Sequence, residues 1–126
     1  MATYTKGRKI QLSKNFKSNE FDCKGKGCCA VTKIDRDLII LLQQIRNHFN
    51  APVIINSGYR CKAHNKAVGG AAVSQHLKGK AADIVVKGVA ANKVARYCDE
   101  IGVKGLGYYL TFTHVDTRAH KARWNG

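Results

Sequence analysis

The chain has 126 residues, of which 44% are hydrophobic and one is proline, and its 22 Lys and Arg outnumber 8 Asp and Glu to leave a formal charge of +14. That length suits one domain with a modest core rather than two, and no apolar run approaches the roughly 18 residues that a membrane helix needs. The charge favours a polyanionic partner, whether nucleic acid, an acidic wall polymer or anionic lipid, without choosing among them.

Residues 1–33 are basic and rich in Gly, Ser and Asn, with a short apolar element near Phe16 and Phe21. They predict an arm packed over the core of a single 1–126 domain. Between Met1 and Asn15 no apolar stretch follows Lys6, Arg8, Lys9 and Lys14, so the pattern of a secretory signal is missing. Synthesis in the cytoplasm and mostly reduced thiols are therefore expected. Cys23, Cys28 and Cys29 stand in the run Cys-Lys-Gly-Lys-Gly-Cys-Cys, which raises a second metal site. The spacing fits no common zinc pattern and a fourth ligand is not evident, so a plain glycine-rich loop is the expectation, and Cys61 receives no role.

From Asp35 the residues Leu38, Ile39, Leu41, Leu42, Ile45 and Phe49 recur at helical spacing, with Asp35 or Asp37 available to start the helix. Ala51 and Pro52 end it. Val53, Ile54 and Ile55 read as a buried strand, and Ser57 to Arg60 as a turn leaving it. A short helix is expected over Lys62 to Val68, stopped by Gly69 and Gly70, then a strand over Ala81 to Val86. Ala91 to Ile101 carries Val94, Ala95, Cys98 and Ile101 at helical spacing, with Cys98 read as a small buried hydrophobe. Gly105 to Thr117 suggests two short strands. Elements in this order predict an α+β domain with a small, mostly antiparallel sheet and helices packed on it.

The stretch Ser74 to Asp83 carries the most chemistry. His76 is placed in a loop, and Asp83 follows seven positions later inside an apolar strand. An unpaired charge is costly there, so Asp83 needs a cation: an Arg or Lys, or a metal. Gly79 permits a tight turn, while Ala81 and Ala82 leave room for His76 and Asp83 to converge. Later, in Thr113-His114-Val115-Asp116-Thr117, strand alternation places His114 and Asp116 on one face. Two histidines and a carboxylate form a usual protein set for catalytic zinc, with a fourth position left open. Ser57-Gly58-Tyr59-Arg60 adds a guanidinium at a strand end, suited to a two-point grip on a carboxylate.

Plainer readings exist for each piece. His76 or His114 alone could be structural, Asp83 could pair with Arg60 or Lys80, and Asp116 could cap a turn or pair with Arg118. His48, His64 and His120 fit no pattern and are expected to be solvated or packed. A nucleic-acid-binding module is disfavoured, since the basic residues are scattered and no binding motif or run of stacking aromatics accompanies them.

Taken together, Ser57-Gly58-Tyr59-Arg60, Asn65 with Gly69-Gly70, the run Ser74-x-His76-x-x-Gly79-x-Ala81-x-Asp83 and the late His114-Val115-Asp116 resemble a known family. It comprises the zinc D-alanyl-D-alanine carboxypeptidases and L-alanyl-D-glutamate endopeptidases, whose fold is shared with the hedgehog signalling domain. The likeness covers roughly residues 35 to 118 and is to short phage and prophage lysin members. It implies a hedgehog-like α+β fold and hydrolysis of peptidoglycan stem peptides by a monomer that reaches the wall after release or export, without membrane insertion. Anionic wall polymers would then be what the positive charge meets.

By the same resemblance His76, Asp83 and His114 are zinc ligands, Arg60 is the substrate or transition-state cation, and Ser74 is a substrate contact. Some branches of the family place a catalytic Glu or Asp three residues before the last zinc histidine, or a His two before it. Here those positions hold Thr111 and Phe112. Asp116 is the nearest carboxylate for the role of base. Alternatives are that Asp116 holds the His114 ring in place, that Asp116 is the ligand and His114 the base, or that the domain binds zinc without catalysis.

Overall fold

The chain, described over residues 1–126 by a computed structural model, begins with short strands. They are β1 (Ala2–Thr5), β2 (Gln11–Ser13) and β3 (Phe16–Lys17), followed by a 3-10 turn at Ser18–Phe21 and β4 (Val31–Ile34). β1 pairs with β4 and β2 with β3, both antiparallel. The expected arm is thus built of two small ribbons, and it contributes Phe16, Phe21 and Ile34 to the main core.

Helix α1 (Arg36–Phe49) buries Leu38, Ile39, Leu42 and Ile45 on one stripe, as its spacing predicts. Asp35 occupies the N-cap position, but its carboxylate turns away from the helix to accept a hydrogen bond from the Thr117 hydroxyl at 2.5 Å. Asn50, in the left-handed conformation at φ 47°, ends the helix before Pro52. β5 (Val53–Ser57) follows, then α2 (Lys62–Ala67), a 3-10 turn at Gln75–Lys78, β6 (Ala81–Val86), α3 (Ala91–Glu100), β7 (Gly105–Tyr108), β8 (Thr113–Asp116) and β9 (Ala122–Asn125).

The main sheet has the order β5-β6-β8-β7-β9. Its pairs are antiparallel except β7 with β9, which run parallel. β9, absent from the sequence expectation, therefore adds a parallel edge. Ala82, Ile84 and Val86 of β6, Leu106 of β7 and Val115 of β8 point to the face covered by α1 and α3. Period-two alternation sends Asp83, His114 and Asp116 to the opposite face. In β5 the same alternation buries Val53 and Ile55 but leaves Ile54 49% exposed. The expected buried strand is therefore buried on one face only.

α3 buries Val94, Ala95 and Cys98. Burial pushes the Cys98 thiol up to about 12, which suits its expected part as a small hydrophobe. His48 is exposed and stacks on Tyr97 at 3.7 Å, whereas His120 is exposed. No helix is long and apolar enough to cross a membrane.

Candidate metal centre

Register does most of the assembly. β6 and β8 pair so that Asp83 lies directly opposite His114, and Ala81 opposite Asp116. Two residues far apart in sequence thus become neighbours on one face, with His114 Nδ1 2.9 Å from Asp83 Oδ1. His76 arrives from the 3-10 turn rather than from an open loop. Its backbone N–H is capped by the Ser74 hydroxyl at 3.2 Å. Gly79 closes the turn at φ 70°, where its N–H bonds to the His76 carbonyl. A Cβ there would stand 2.3 Å from the Lys33 carbonyl oxygen, so glycine is required both for the backbone angle and for the close approach to β4.

The His76 ring donates from Nδ1 to the Gly58 carbonyl at 2.7 Å. That contact fixes the tautomer and leaves the Nε2 lone pair facing Asp83 Oδ2 at 3.3 Å. Two acceptors facing each other repel unless a cation lies between them. His76, Asp83 and His114 are all buried, and one ligand atom from each lies within 4.8 Å of the other two. The donor set and its geometry therefore fit zinc, which takes imidazole nitrogen and carboxylate oxygen at about 2.0–2.2 Å. Burial alone would raise the Asp83 carboxyl, but the His114 Nδ1 bond first, and the adjoining His76 ring next, hold it well below the usual carboxylate range.

Asp116 occupies another place. It is 0% exposed and lies on the far edge of the His114 ring, accepting from Nε2 at 2.7 Å. Arg118 donates to it from the backbone N–H, Nε and Nη2 at 3.1, 2.8 and 2.7 Å. Burial would raise the Asp116 carboxyl, but Arg118 first and His114 next keep it well below the usual range. With both oxygens engaged and no face on the cleft, this carboxylate is poorly placed to take a proton from a nucleophile there. The ligand cluster likewise contains His114 and Asp83, not Asp116, which disfavours the alternative with Asp116 as ligand and His114 as base.

Arg60 leaves the end of β5 and is held by three partners: Nε donates to the Ser57 hydroxyl at 3.1 Å, Nη1 to Asn65 Oδ1 at 3.3 Å and Nη2 to Asp83 Oδ2 at 3.4 Å. Asn65 in turn donates to the Ala71 carbonyl at 2.9 Å, and the Gly70 N–H bonds to the Asn65 carbonyl at 2.8 Å. The spaced motif of Ser57, Arg60, Asn65 and Gly70 is thus one hydrogen-bonded network.

These groups line a cleft of about 530 Å³ that includes Arg60, Ser74, His76, Asp83 and His114. Arg118, Tyr109 and Trp124 form part of the same wall. Trp124 lies 4.9 Å from His114, carries the Arg118 guanidinium over its ring at 5.0 Å and donates from Nε1 to the Tyr109 hydroxyl at 3.1 Å. The sequence reading gave these three no site role. Arg118, two residues after Asp116, was legible as an ion-pair partner, but Trp124 reaches the cleft only through the parallel pairing of β9. A larger groove of about 740 Å³, between the N-terminal ribbons and α1, is lined by Tyr4, Leu12 and Ile39 among others and contains no comparable cluster of ligating side chains.

A further correction concerns the cysteines. Cys23, Cys28 and Cys29, expected to lie in a plain loop, meet Cys61, and all four sulfurs lie within 4.8 Å of one another. The partner that the local spacing lacked comes from the residue after Arg60.

Comparison with known proteins points to one family. The family model for peptidase M15 matches residues 14–116. A Haemophilus influenzae protein described as a probable peptidoglycan L,D-endopeptidase, MepK, is 31% identical over 132 residues, covering 93% of this chain and 70% of that protein.

Proposed function

Because the chain belongs to the peptidase M15 family, we propose that it is a zinc-dependent hydrolase of peptidoglycan stem peptides, acting as an endopeptidase at a centre formed by His76, Asp83 and His114. The convergence of these three side chains on one point, floored by a cleft with two guanidinium groups, is the observation that carries this reading. The description of the Haemophilus relative as a peptidoglycan endopeptidase supports the substrate class and the endopeptidase assignment.

Zinc bound there supplies a Lewis acid for the scissile carbonyl and makes water nucleophilic near neutral pH. The protein's part is orientation. Gly58 fixes the His76 tautomer through its carbonyl, and Asp116 fixes the His114 ring through Nε2, so that both imidazoles present a lone pair to the same point. Asp116 is therefore a positioning residue rather than the base. Arg60 and Arg118, on different parts of the cleft wall, suit the carboxylates of an acidic stem peptide, and Arg60 lies near enough to Asp83 to stabilise charge developing on the carbonyl oxygen. Ser74 lines the cleft while capping His76, so a substrate contact there would also bear on a ligand's position.

Digestion of purified peptidoglycan with the zinc-loaded protein, followed by mass spectrometry of the new termini, tests the reaction. Internal cleavage of the stem peptide is expected, and His76→Ala should remove both zinc from this centre and turnover. Release of terminal D-alanine alone would assign a carboxypeptidase instead. Intact sacculi with the ion bound would leave a wall-binding domain without catalysis.

A further inference from the structure

Outside the cleft, the cysteine cluster is the densest group of ligating side chains in the molecule. Cys23 Sγ lies 3.7 Å from Cys28 and 3.8 Å from Cys61, while Cys28 lies 3.9 Å from Cys29 and 3.0 Å from Cys61. A tetrahedral site with zinc–sulfur bonds of about 2.3 Å has sulfur–sulfur edges of about 3.8 Å. Three of the four separations match that edge, and none approaches the roughly 2.05 Å of a disulfide. All five cysteines of the chain are free.

The surroundings point the same way. The segment 22–30 has no helix or strand, yet Cys23 is buried within it, and the apolar company of the cluster is limited to Tyr59. Thiols are weak hydrogen-bond donors, so four gathered in one place hold an irregular loop poorly by themselves. The His64 N–H donates to Cys61 Sγ at 3.5 Å, an arrangement that favours a thiolate. Lys24 and Lys26 stand in the loop, and Lys6 Nζ donates to the Gly25 carbonyl at 2.8 Å, bringing positive charge to a group that would carry two net negative charges as four thiolates around a divalent ion.

We propose that Cys23, Cys28, Cys29 and Cys61 bind a second zinc ion, a structural one that ties the 22–30 loop to the turn bearing Arg60. Four thiols lose their protons to solvent as four zinc–sulfur bonds form, with no change of oxidation state. The ion closes its own coordination shell with protein ligands, as structural zinc does, and leaves no position for substrate. Its consequence for the cleft is positional. Cys61 follows Arg60 directly and caps the N-terminus of α2, which supplies Asn65 to the same guanidinium. Anchoring Cys61 therefore fixes the start of the segment on which Arg60 and Asn65 meet.

The inference does not depend on the His76 centre, and metal analysis separates the two. The full chain, purified under reducing conditions and loaded with zinc, is expected to hold two ions, His76→Ala one, Cys28→Ser/Cys29→Ser one, and the combined variant none. Cobalt added to the metal-stripped His76→Ala protein should give near-ultraviolet thiolate-to-metal charge-transfer absorption, which the combined variant lacks. In the zinc-loaded wild type four thiols should react slowly with a thiol reagent until a chelator releases them. Far-ultraviolet circular dichroism checks that the serine variants keep their secondary structure. An ion retained by His76→Ala and lost from the cysteine variant supports the proposal even if the His76 centre fails to fill. A His76→Ala protein that binds no zinc, gives no thiolate band with cobalt, or carries disulfides among these cysteines overturns it.

Discussion

His114 sits between two carboxylates, Asp83 at Nδ1 and Asp116 at Nε2. Burial favours its neutral form, but the bonds to Asp116 and Asp83 outweigh burial and raise the ring above its ordinary value. A cation entering the centre must therefore replace a proton that this histidine keeps to higher pH than a free one. Zinc affinity should rise with pH and fall by about tenfold for each unit of acidification while that one proton is displaced. Calorimetry of zinc binding in buffers of different ionisation enthalpy, run on Cys28→Ser/Cys29→Ser protein to isolate this centre, should report the released proton.

The same residue-level geometry separates two roles for Asp116. In Asp116→Asn the ring loses its charged partner, and zinc affinity should drop by about 10- to 100-fold, as for other groups that hold a ligating histidine. Turnover should recover in part at excess zinc. A base lost from the reaction would instead leave affinity unchanged and resist rescue. Strand alternation made the closeness of His114 and Asp116 legible in the sequence. Which ring nitrogen met which carboxylate was not legible, because that depends on the pairing register of β6 and β8 and on the capture of Asp116 by Arg118.

Among the elements, β7 shows how tightly this arrangement is packed. Gly105 lies opposite Asp116, and a Cβ on it would fall 1.9 Å from Asp116 Oδ1. Gly105→Ala must displace either the strand or the carboxylate, at a cost of about 1–3 kcal/mol by analogy with other overpacked sites. Denaturant unfolding with and without zinc should show the loss, together with weaker zinc binding. Elements with a strong period were readable: α1 from its apolar stripe, and β6 from its run between glycines. β9 was not, since Ala122–Asn125 is only four residues long and none of them is fully buried. The cysteine cluster escaped for a different reason. Its members come from two segments brought together by the fold, and local spacing carries no record of such a meeting.

At the scale of the whole molecule, the excess of 14 positive charges is spread along the chain and needs no single partner residue to act. Attraction to teichoic acids or other wall phosphates would come from the summed field, which is screened over about 8–10 Å at 0.1–0.15 M salt. Sedimentation with cell walls should therefore weaken steadily as salt rises, while cleavage of a short soluble stem peptide changes much less. Equal salt sensitivity of the two would argue that the charge serves the cleft and not retention on the wall.

The face-to-face placement of Asp83 and His114 also has a bearing on how the sheet settles. A slip of one residue between β6 and β8 would turn one of the two side chains towards the interior and destroy the pair. An ion captured there acts as a rivet that only the correct alignment accepts. At a thousandfold excess over its dissociation constant such a ligand adds about 4 kcal/mol to the native state, so on the proposed reading supply of the metal would govern the durability of the scaffold as well as its chemistry.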